Sequence, residues 1–179
     1  MQVGIVSQRD NERAIALATR LVERLDADDV AVAIDESTAA TLAGEREAAD
    51  QRESDGENSE SVAHALPGTP TAAMADCDLV VSIGGDGTFL YTARAAGATP
   101  VVGVNLGEVG FLNAVSPDDA VGEVLDEVDR MRDGAGRTQE LPRLVASASS
   151  WTLAPSLNEV LVQGPRRGHA GGATFEVRV

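Results

Sequence analysis

An apolar run from Asp78 to Ile83 (DLVVSI) leads directly into Gly84-Gly85-Asp86-Gly87-Thr88, and a helical pattern from Phe89 to Ala96 follows it. A strand that is apolar along most of its length is covered on both faces, as in a parallel sheet between two layers of helices. Ligands of open α/β folds bind at the carboxyl edge of such a sheet. This segment therefore predicts a parallel α/β domain whose ligand site includes the turn from Gly84 to Thr88.

Strand and helix patterns alternate along the first part of the chain. The spacing of apolar residues predicts helices from Ala14 to Leu25 and from Ser116 to Gly134. Further buried strands are predicted at Gln2 to Val6, Val30 to Ile34 and Pro100 to Asn105. Because strands and helices alternate, we expect residues 1–135 to form an α/β nucleotide-binding domain with a doubly wound parallel sheet.

The pattern changes in residues 136–179, where Gly, Pro and Arg turns separate strand-like pieces and no helix is indicated. The predicted strands are Leu141 to Ser150, Trp151 to Leu153, Ser156 to Val162 and Thr174 to Val179. We interpret this region as the beginning of an all-β domain with Trp151 in its core. Too few strands are present to close a sandwich, so we expect the domain to be incomplete and the chain to be truncated.

The segment between Gly44 and Ser61 is rich in Glu, Asp, Ser and Gln, and it contains no aliphatic residue larger than alanine. Such a segment cannot contribute to a core. We predict an acidic loop at residues 44–61, and a solvated spacer is a better interpretation than a partner-binding segment.

The chain carries 29 acidic and 14 basic residues, a formal charge of -15, and every basic residue is arginine. This charge disfavours nucleic acid and anionic membranes as partners. No run approaches the roughly twenty apolar residues of a membrane span, no basic leader opens the sequence, and the single cysteine cannot form an internal disulfide. We therefore expect a cytoplasmic protein, and the acidic surface suggests a halophilic, salt-rich cytoplasm as a hypothesis.

The glycine-rich turn suits phosphate groups, because glycines let backbone amides and a helix N-terminus approach phosphate oxygens closely. Gly84, Gly85, Gly87 and Thr88 are the candidate phosphate-binding residues. A carboxylate there would repel phosphate unless it accepts a proton from an attacking hydroxyl or holds a phosphate-bound magnesium ion. The alternative is a tight turn in which Asp86 only caps the helix.

The GGDGT sequence resembles the signature of a superfamily that contains NAD kinases, lipid kinases and phosphofructokinases. Two further segments narrow the resemblance to NAD kinases: GVNLGEVGFL, from Gly103 to Leu112, and SLNEVLV, from Ser156 to Val162. The resemblance implies transfer of the terminal phosphate of ATP or polyphosphate to the adenosine ribose 2′-hydroxyl of NAD, giving NADP. It also implies Mg²⁺ carried with the donor and, for the full-length protein, a homo-oligomer (a dimer or tetramer).

By this resemblance Asp86 is the catalytic base, and Asp86 and Gly87 line the NAD site. Asn158 and Glu159 resemble the pair that hydrogen-bonds the dinucleotide, and His169 lies where relatives often have a basic residue. An amide and a carboxylate suit ribose hydroxyls because together they offer donors and acceptors. From the residues alone, a turn or a strand edge is the better interpretation of Asn158 and Glu159, and His169 could equally be solvent-exposed.

Two alternative functions stay open from the sequence. One is a different kinase of the same superfamily, acting on a lipid or a sugar. The other is a truncated, non-catalytic fragment that binds nucleotide, because the resemblance implies a later segment similar to TPTGSTAY that the chain does not contain. The reading frame beyond Val179 distinguishes a cut enzyme from a protein that ends there.

Overall fold

The computed structural model describes residues 1–50, 66–107, 110–162 and 176, and of residues 45–50 it describes the backbone alone. Besides one 3-10 helix at Thr71–Asp76, the helices are α1 (Glu12–Ala27), α2 (Glu36–Asp50), α3 (Asp86–Ala96) and α4 (Ala120–Arg132). The strands are β1 (Gln2–Ser7), β2 (Ala31–Asp35), β3 (Gly68–Thr69), β4 (Leu79–Gly84), β5 (Val101–Asn105), β6 (Ser147–Ala148) and β7 (Trp151–Thr152).

The first five strands form one parallel sheet in the order β3-β2-β1-β4-β5. The chain builds outward from β1 to β3 and then returns to the other side of β1, so the order reverses between β1 and β4. In open α/β sheets a ligand crevice lies at this switch point, outside the carboxyl ends of the strands. Because Ser7 pairs with Ile83 and Gly84 pairs with Asn105, the predicted turn lies at that edge.

Helices cover both faces of the sheet, which confirms the doubly wound prediction. On one face, α1 and α4 pack against alternate residues of the strands, among them Val3, Ile5 and Val81. A smaller core on the other face joins Val6 and Val80 to the 3-10 helix and the end of α3. Each fully buried Leu or Ile contributes roughly 1.5–3 kcal/mol relative to an exposed one, so the α1 and α4 face supplies most of the burial energy.

Cys77 belongs to the smaller core and is 7 % exposed. Burial raises the pKa of the Cys77 thiol, and the neighbouring carboxylates of Asp76 and Asp78 raise it further. A raised thiol pKa lowers the fraction of thiolate at neutral pH, and the thiolate is the reactive form. Cys77 is therefore a packing residue.

Part of the acidic-loop prediction is wrong. Residues 44–50 are helical because α2 continues to Asp50, and residues 51–61 lie outside the described part of the chain. Leu42, fully buried, fixes the helix to the core, and the Glu, Arg and Ala residues that follow have good helix propensity. The absence of large aliphatic residues argues against a core position but does not exclude a helix.

The chain divides into two compact units, Met1–Gln139 and Glu140–Val179. In the second unit β6 and β7 pair antiparallel, and an isolated antiparallel bridge joins Leu144 to Ser156. This agrees with the predicted start of a β domain.

The individual strands of the second unit are much shorter than predicted. Beyond its bridge at Ser156, the predicted strand to Val162 is absent from the described residues, and of Thr174 to Val179 only Glu176 is described. Trp151 is 51 % exposed and is not a core residue. The apolar and β-branched residues predict which segments could form strands, but a strand also needs a hydrogen-bonding neighbour.

No helix of the described ranges is long and apolar enough to cross a membrane. The longest, α1, has 16 residues and presents charged side chains on one face, whereas a membrane span needs about 20 predominantly apolar residues.

Candidate functional site

The turn between β4 and α3 contains three glycines with different environments. Gly85 is the N-cap of α3 and has extended backbone angles, φ -92° and ψ -174°. A Cβ atom at Gly84 would lie 2.5 Å from Thr88 Oγ1 and 3.0 Å from Gln8 Cβ, whereas one at Gly85 or Gly87 would meet nothing within 4 Å. Gly84 is therefore required by packing, and the other two glycines leave open space beside the helix N-terminus.

Asp86 is the first residue of α3, but it does not cap its own helix, because no side chain makes a capping bond there. Its Oδ2 accepts a hydrogen bond from the Phe111 backbone N–H at 3.2 Å. Its Oδ1 accepts from the Leu112 backbone N–H at 3.3 Å and from Asn113 Nδ2 at 3.2 Å. The helix-cap interpretation of Asp86 is thus wrong, and the carboxylate is held by a separate segment of the chain, residues 111–113.

That segment reaches Asp86 because the chain folds back along β5. The Val115 N–H donates to the Gly103 carbonyl oxygen at 3.1 Å, and the Asn105 N–H donates to the Val115 carbonyl oxygen at 2.9 Å. The Leu106 N–H donates in turn to the Gly84 carbonyl oxygen at 3.1 Å. These bonds connect the segment to the ends of both central strands, so the glycine turn and the donors to Asp86 form one local framework.

The small residues of GVNLGEVGFL allow this close packing. Asn105 Oδ1 accepts a hydrogen bond from the Gly107 N–H at 3.0 Å, and a Cβ atom at Gly110 would lie 2.8 Å from Asn105 Nδ2. A Cβ atom at Gly103 would collide with Asn113 Oδ1. We interpret the motif as the sequence requirement of a tight fold-back that forms the wall beside Asp86.

Asn113 was not among the residues that the sequence indicated as functional. It follows directly after the motif, between Leu112 and Ala114, and a polar amide between two apolar residues was the available signal. The neighbouring Phe111 has a 90 % exposed side chain, so its backbone N–H serves Asp86 while its ring faces solvent. An aromatic ring exposed beside a carboxylate can pack against a planar ligand group.

A second carboxylate at the same sheet edge, that of Asp35, differs from Asp86 in its burial and its hydrogen bonds. It is fully buried, and it accepts hydrogen bonds from the Ser37 N–H at 3.3 Å and the Thr38 N–H at 3.1 Å, as well as from the Thr38 hydroxyl. Both oxygens are therefore used to cap α2. Asp86 is partly exposed, so a ligand at this edge can contact its carboxylate.

The remaining predicted site residues belong to the second unit. Asn158 and Glu159 are both exposed, and Asn158 Nδ2 donates to Glu159 Oε2 at 3.0 Å. The Ser156 hydroxyl donates to the Glu159 carbonyl oxygen at 2.8 Å, which closes a local turn. The pair thus lies in a turn, with its side chains joined. His169 lies outside the described residues.

Within the described ranges no three His, Cys, Asp or Glu side chains lie together in a group that could hold a metal ion. Asp86 is the carboxylate presented at the glycine turn. One carboxylate suits a magnesium ion that brings phosphate and water ligands with it, because Mg²⁺ usually keeps several waters and takes one or two protein carboxylates.

Comparison with known proteins agrees with the motifs. The family model described as the ATP-NAD kinase N-terminal domain matches residues 3–131. The chain is 53% identical to an NAD kinase of Haloarcula marismortui and 52% identical to one of Halobacterium salinarum, in both cases over its full length. It spans 59% and 57% of those two relatives, respectively.

A solved structure, yeast NADH kinase complexed with NADH, has the same fold, with a TM-score of 0.59 and 23% sequence identity. That match covers 87% of this chain and 46% of the yeast chain. The family model covers well over half of the sequence, and the two relatives from salt-adapted organisms align with all of it. The chain therefore belongs to the NAD kinase family.

Proposed function

We propose that the full-length protein is an NAD kinase that transfers the terminal phosphate of ATP or polyphosphate to the adenosine ribose 2′-hydroxyl of NAD. The observation that carries the proposal is the Asp86 carboxylate, which is presented at the carboxyl edge of the sheet beside a glycine turn. The family membership supports the substrate pair, since the matching family model is named for ATP and NAD.

Asp86 has the properties of a general base for this reaction. A ribose hydroxyl that attacks phosphorus loses its proton as the new O–P bond forms and the bond to the leaving phosphate oxygen breaks. A carboxylate within hydrogen-bond distance of the hydroxyl can take that proton. The three donors that contact Asp86 hold its side chain in one orientation, so the base does not have to be reoriented when substrate binds.

The glycine turn supplies the phosphate site in this proposal. Gly85 and Gly87 leave room for phosphate oxygens, and the first backbone N–H groups of α3 have no partners within the helix. The positive end of the helix dipole favours an anion at the same place. A magnesium ion bound to the donor phosphates would neutralise part of their charge during transfer, and Asp86 is the described residue placed to contact it.

The second unit supplies the NAD contacts in this proposal. The described hydrogen bond between Asn158 and Glu159 uses one polar atom of each side chain. The other amide and carboxylate atoms can accept from, or donate to, ribose hydroxyls. We assign His169 to the same site on the resemblance alone.

The proposal also includes the oligomeric state of the protein, its cellular surroundings and its partners. Several large apolar side chains of the second unit are exposed, among them Leu153, Leu161 and Val162, which supports a homo-oligomer, a dimer or tetramer, formed through that unit. The charge of -15 supports a salt-rich cytoplasm and argues against nucleic acid or a membrane as partner.

The direct test is NADP formation by the protein expressed from its complete reading frame. The assay contains NAD, Mg²⁺ and either ATP or polyphosphate in high salt, with chelator added in parallel samples. We expect NADP with at least one donor and loss of the reaction on chelation, because Mg²⁺ enters with the donor. Phosphorylation of a lipid or sugar in place of NAD, or nucleotide binding without turnover, would contradict the proposal.

A further inference from the structure

Among the described hydrogen bonds to Asp86, one comes from a side chain, that of Asn113. The other two come from the backbone of Phe111 and Leu112, which any residue types could supply. Asn113 Nδ2 contacts Oδ1, the oxygen that also accepts from Leu112, so Oδ1 has two donors and Oδ2 has one. Oδ2 therefore keeps more of its acceptor capacity for a substrate hydroxyl.

The other end of the Asn113 amide is unsatisfied. Its Oδ1 atom is buried and has no hydrogen-bond partner among the described atoms. The opposite orientation of the amide would place this oxygen against the Asp86 carboxylate, so the donor assignment follows from charge. A buried carbonyl oxygen without a partner lowers stability, and buried unsatisfied groups in native structures usually have a functional reason.

The fold also keeps space for this side chain. The Asn113 Oδ1 atom and Cα atom lie over Gly103, and a Cβ atom at Gly103 would be 3.0 Å from the Asn113 Cα and would collide with the amide oxygen. An apolar residue of similar shape would fill the same space without an unsatisfied oxygen. The asparagine is thus unfavourable for packing and favourable for one interaction, the hydrogen bond to Asp86.

We propose that Asn113 is a positioning residue that orients the Asp86 carboxylate, so that Oδ2 is presented to the hydroxyl that loses its proton. The inference rests on the proposed function for its kinetic consequence. The orientation of the Asp86 carboxylate that it predicts does not depend on which substrate binds.

The kinetic test compares Asn113→Leu and Asn113→Asp with the parent protein from the complete reading frame. Leucine keeps the shape and removes the donor, and aspartate places an acceptor against the carboxylate. We expect kcat to fall about 10-fold or more for leucine and further for aspartate, with the KM for NAD changed less than about threefold, because the substrate-binding contacts remain. The melting temperature of Asn113→Leu should be equal to that of the parent or higher.

Val128→Ala is the control, since it opens a cavity in the core of α4, where Val128 is 1 % exposed. It should lower the melting temperature and leave kcat unchanged. A parent-like kcat for Asn113→Leu, or a kcat that falls only in proportion to stability, would overturn the positioning role.

A crystal structure of the Asn113→Leu protein tests the inference without any activity. We expect the Asp86 carboxylate to rotate away from the Phe111 and Leu112 N–H groups or to adopt more than one orientation. An unchanged, single orientation would overturn the inference even if the parent forms NADP. A parent that forms no NADP, together with a reoriented Asp86 in the variant, would instead contradict only the proposed function.

Discussion

Asp86→Asn should lower kcat for NADP formation by about 10²–10⁴-fold in the protein expressed from its complete reading frame, because the amide cannot accept the hydroxyl proton. In the variant, the asparagine oxygen can accept the hydrogen bonds that Asp86 Oδ1 accepts. Its NH₂ group, however, would face the Phe111 N–H, so two donors would meet there. We therefore expect the free energy of unfolding to fall by no more than about 1–3 kcal/mol. Initial rates and chemical denaturation of the same preparations measure both effects.

Asp126→Asn is the matched control for this substitution. Asp126 is 69% exposed on α4, and its carboxylate lies 3.7 Å from Arg130. Removal of such a surface ion pair costs at most about 1 kcal/mol, and kcat should equal that of the parent. Equal rates for Asp86→Asn and the parent protein, with both folded, would show that Asp86 is not the base.

The glycines of the turn should respond to alanine in opposite ways. Gly87→Ala is expected to raise the free energy of unfolding by about 0.5–1 kcal/mol, because Gly87 lies in the first turn of α3 and a Cβ atom there meets open space. The same methyl group would occupy the space proposed for donor phosphate, and loss of one charge-assisted hydrogen bond lowers kcat/KM for the donor by about 10–100-fold. Activity would thus fall while stability rises.

Gly84→Ala should instead lower stability. Its methyl group would approach Thr88 and Gln8 too closely, and such overpacking costs about 1–3 kcal/mol of unfolding free energy. Denaturation curves and donor kinetics of the two alanine variants, measured side by side, separate packing from phosphate binding. If Gly87→Ala keeps the parent's kcat/KM for both donors, the open space beside Gly87 is not the phosphate site.

The strands of the parallel sheet and the helices packed on it were predictable because their apolar residues recur at regular spacings. The predicted strand at Val30 to Ile34 differs from β2 by one residue at each end, and the predicted helix from Ala14 to Leu25 lies within α1. These segments are buried on one or both faces, so burial alone determines their residue types.

Two regions could not be predicted from periodicity. The end of α2, from Gly44 to Asp50, has no large apolar residue to show a helical period, so its acidic composition predicts a loop. In the second unit, the segment from Ser156 to Val162 is rich in Leu and Val, as strands often are, but strand formation depends on a partner rather than on local sequence. The prediction therefore extended well beyond the bridge at Ser156.

The sequence by itself determined where the site lies and which carboxylate it presents, because a glycine turn after a buried parallel strand must fall at the carboxyl edge of the sheet. Only the tertiary structure decided what Asp86 contacts and how the glycines divide their roles. The donors to Asp86 lie 25, 26 and 27 residues further along the chain. They reach it because residues 110–115 fold back along β5. The glycines of the motif permit this fold-back, but the contact with Asp86 depends on strand register and on the space left by Gly103.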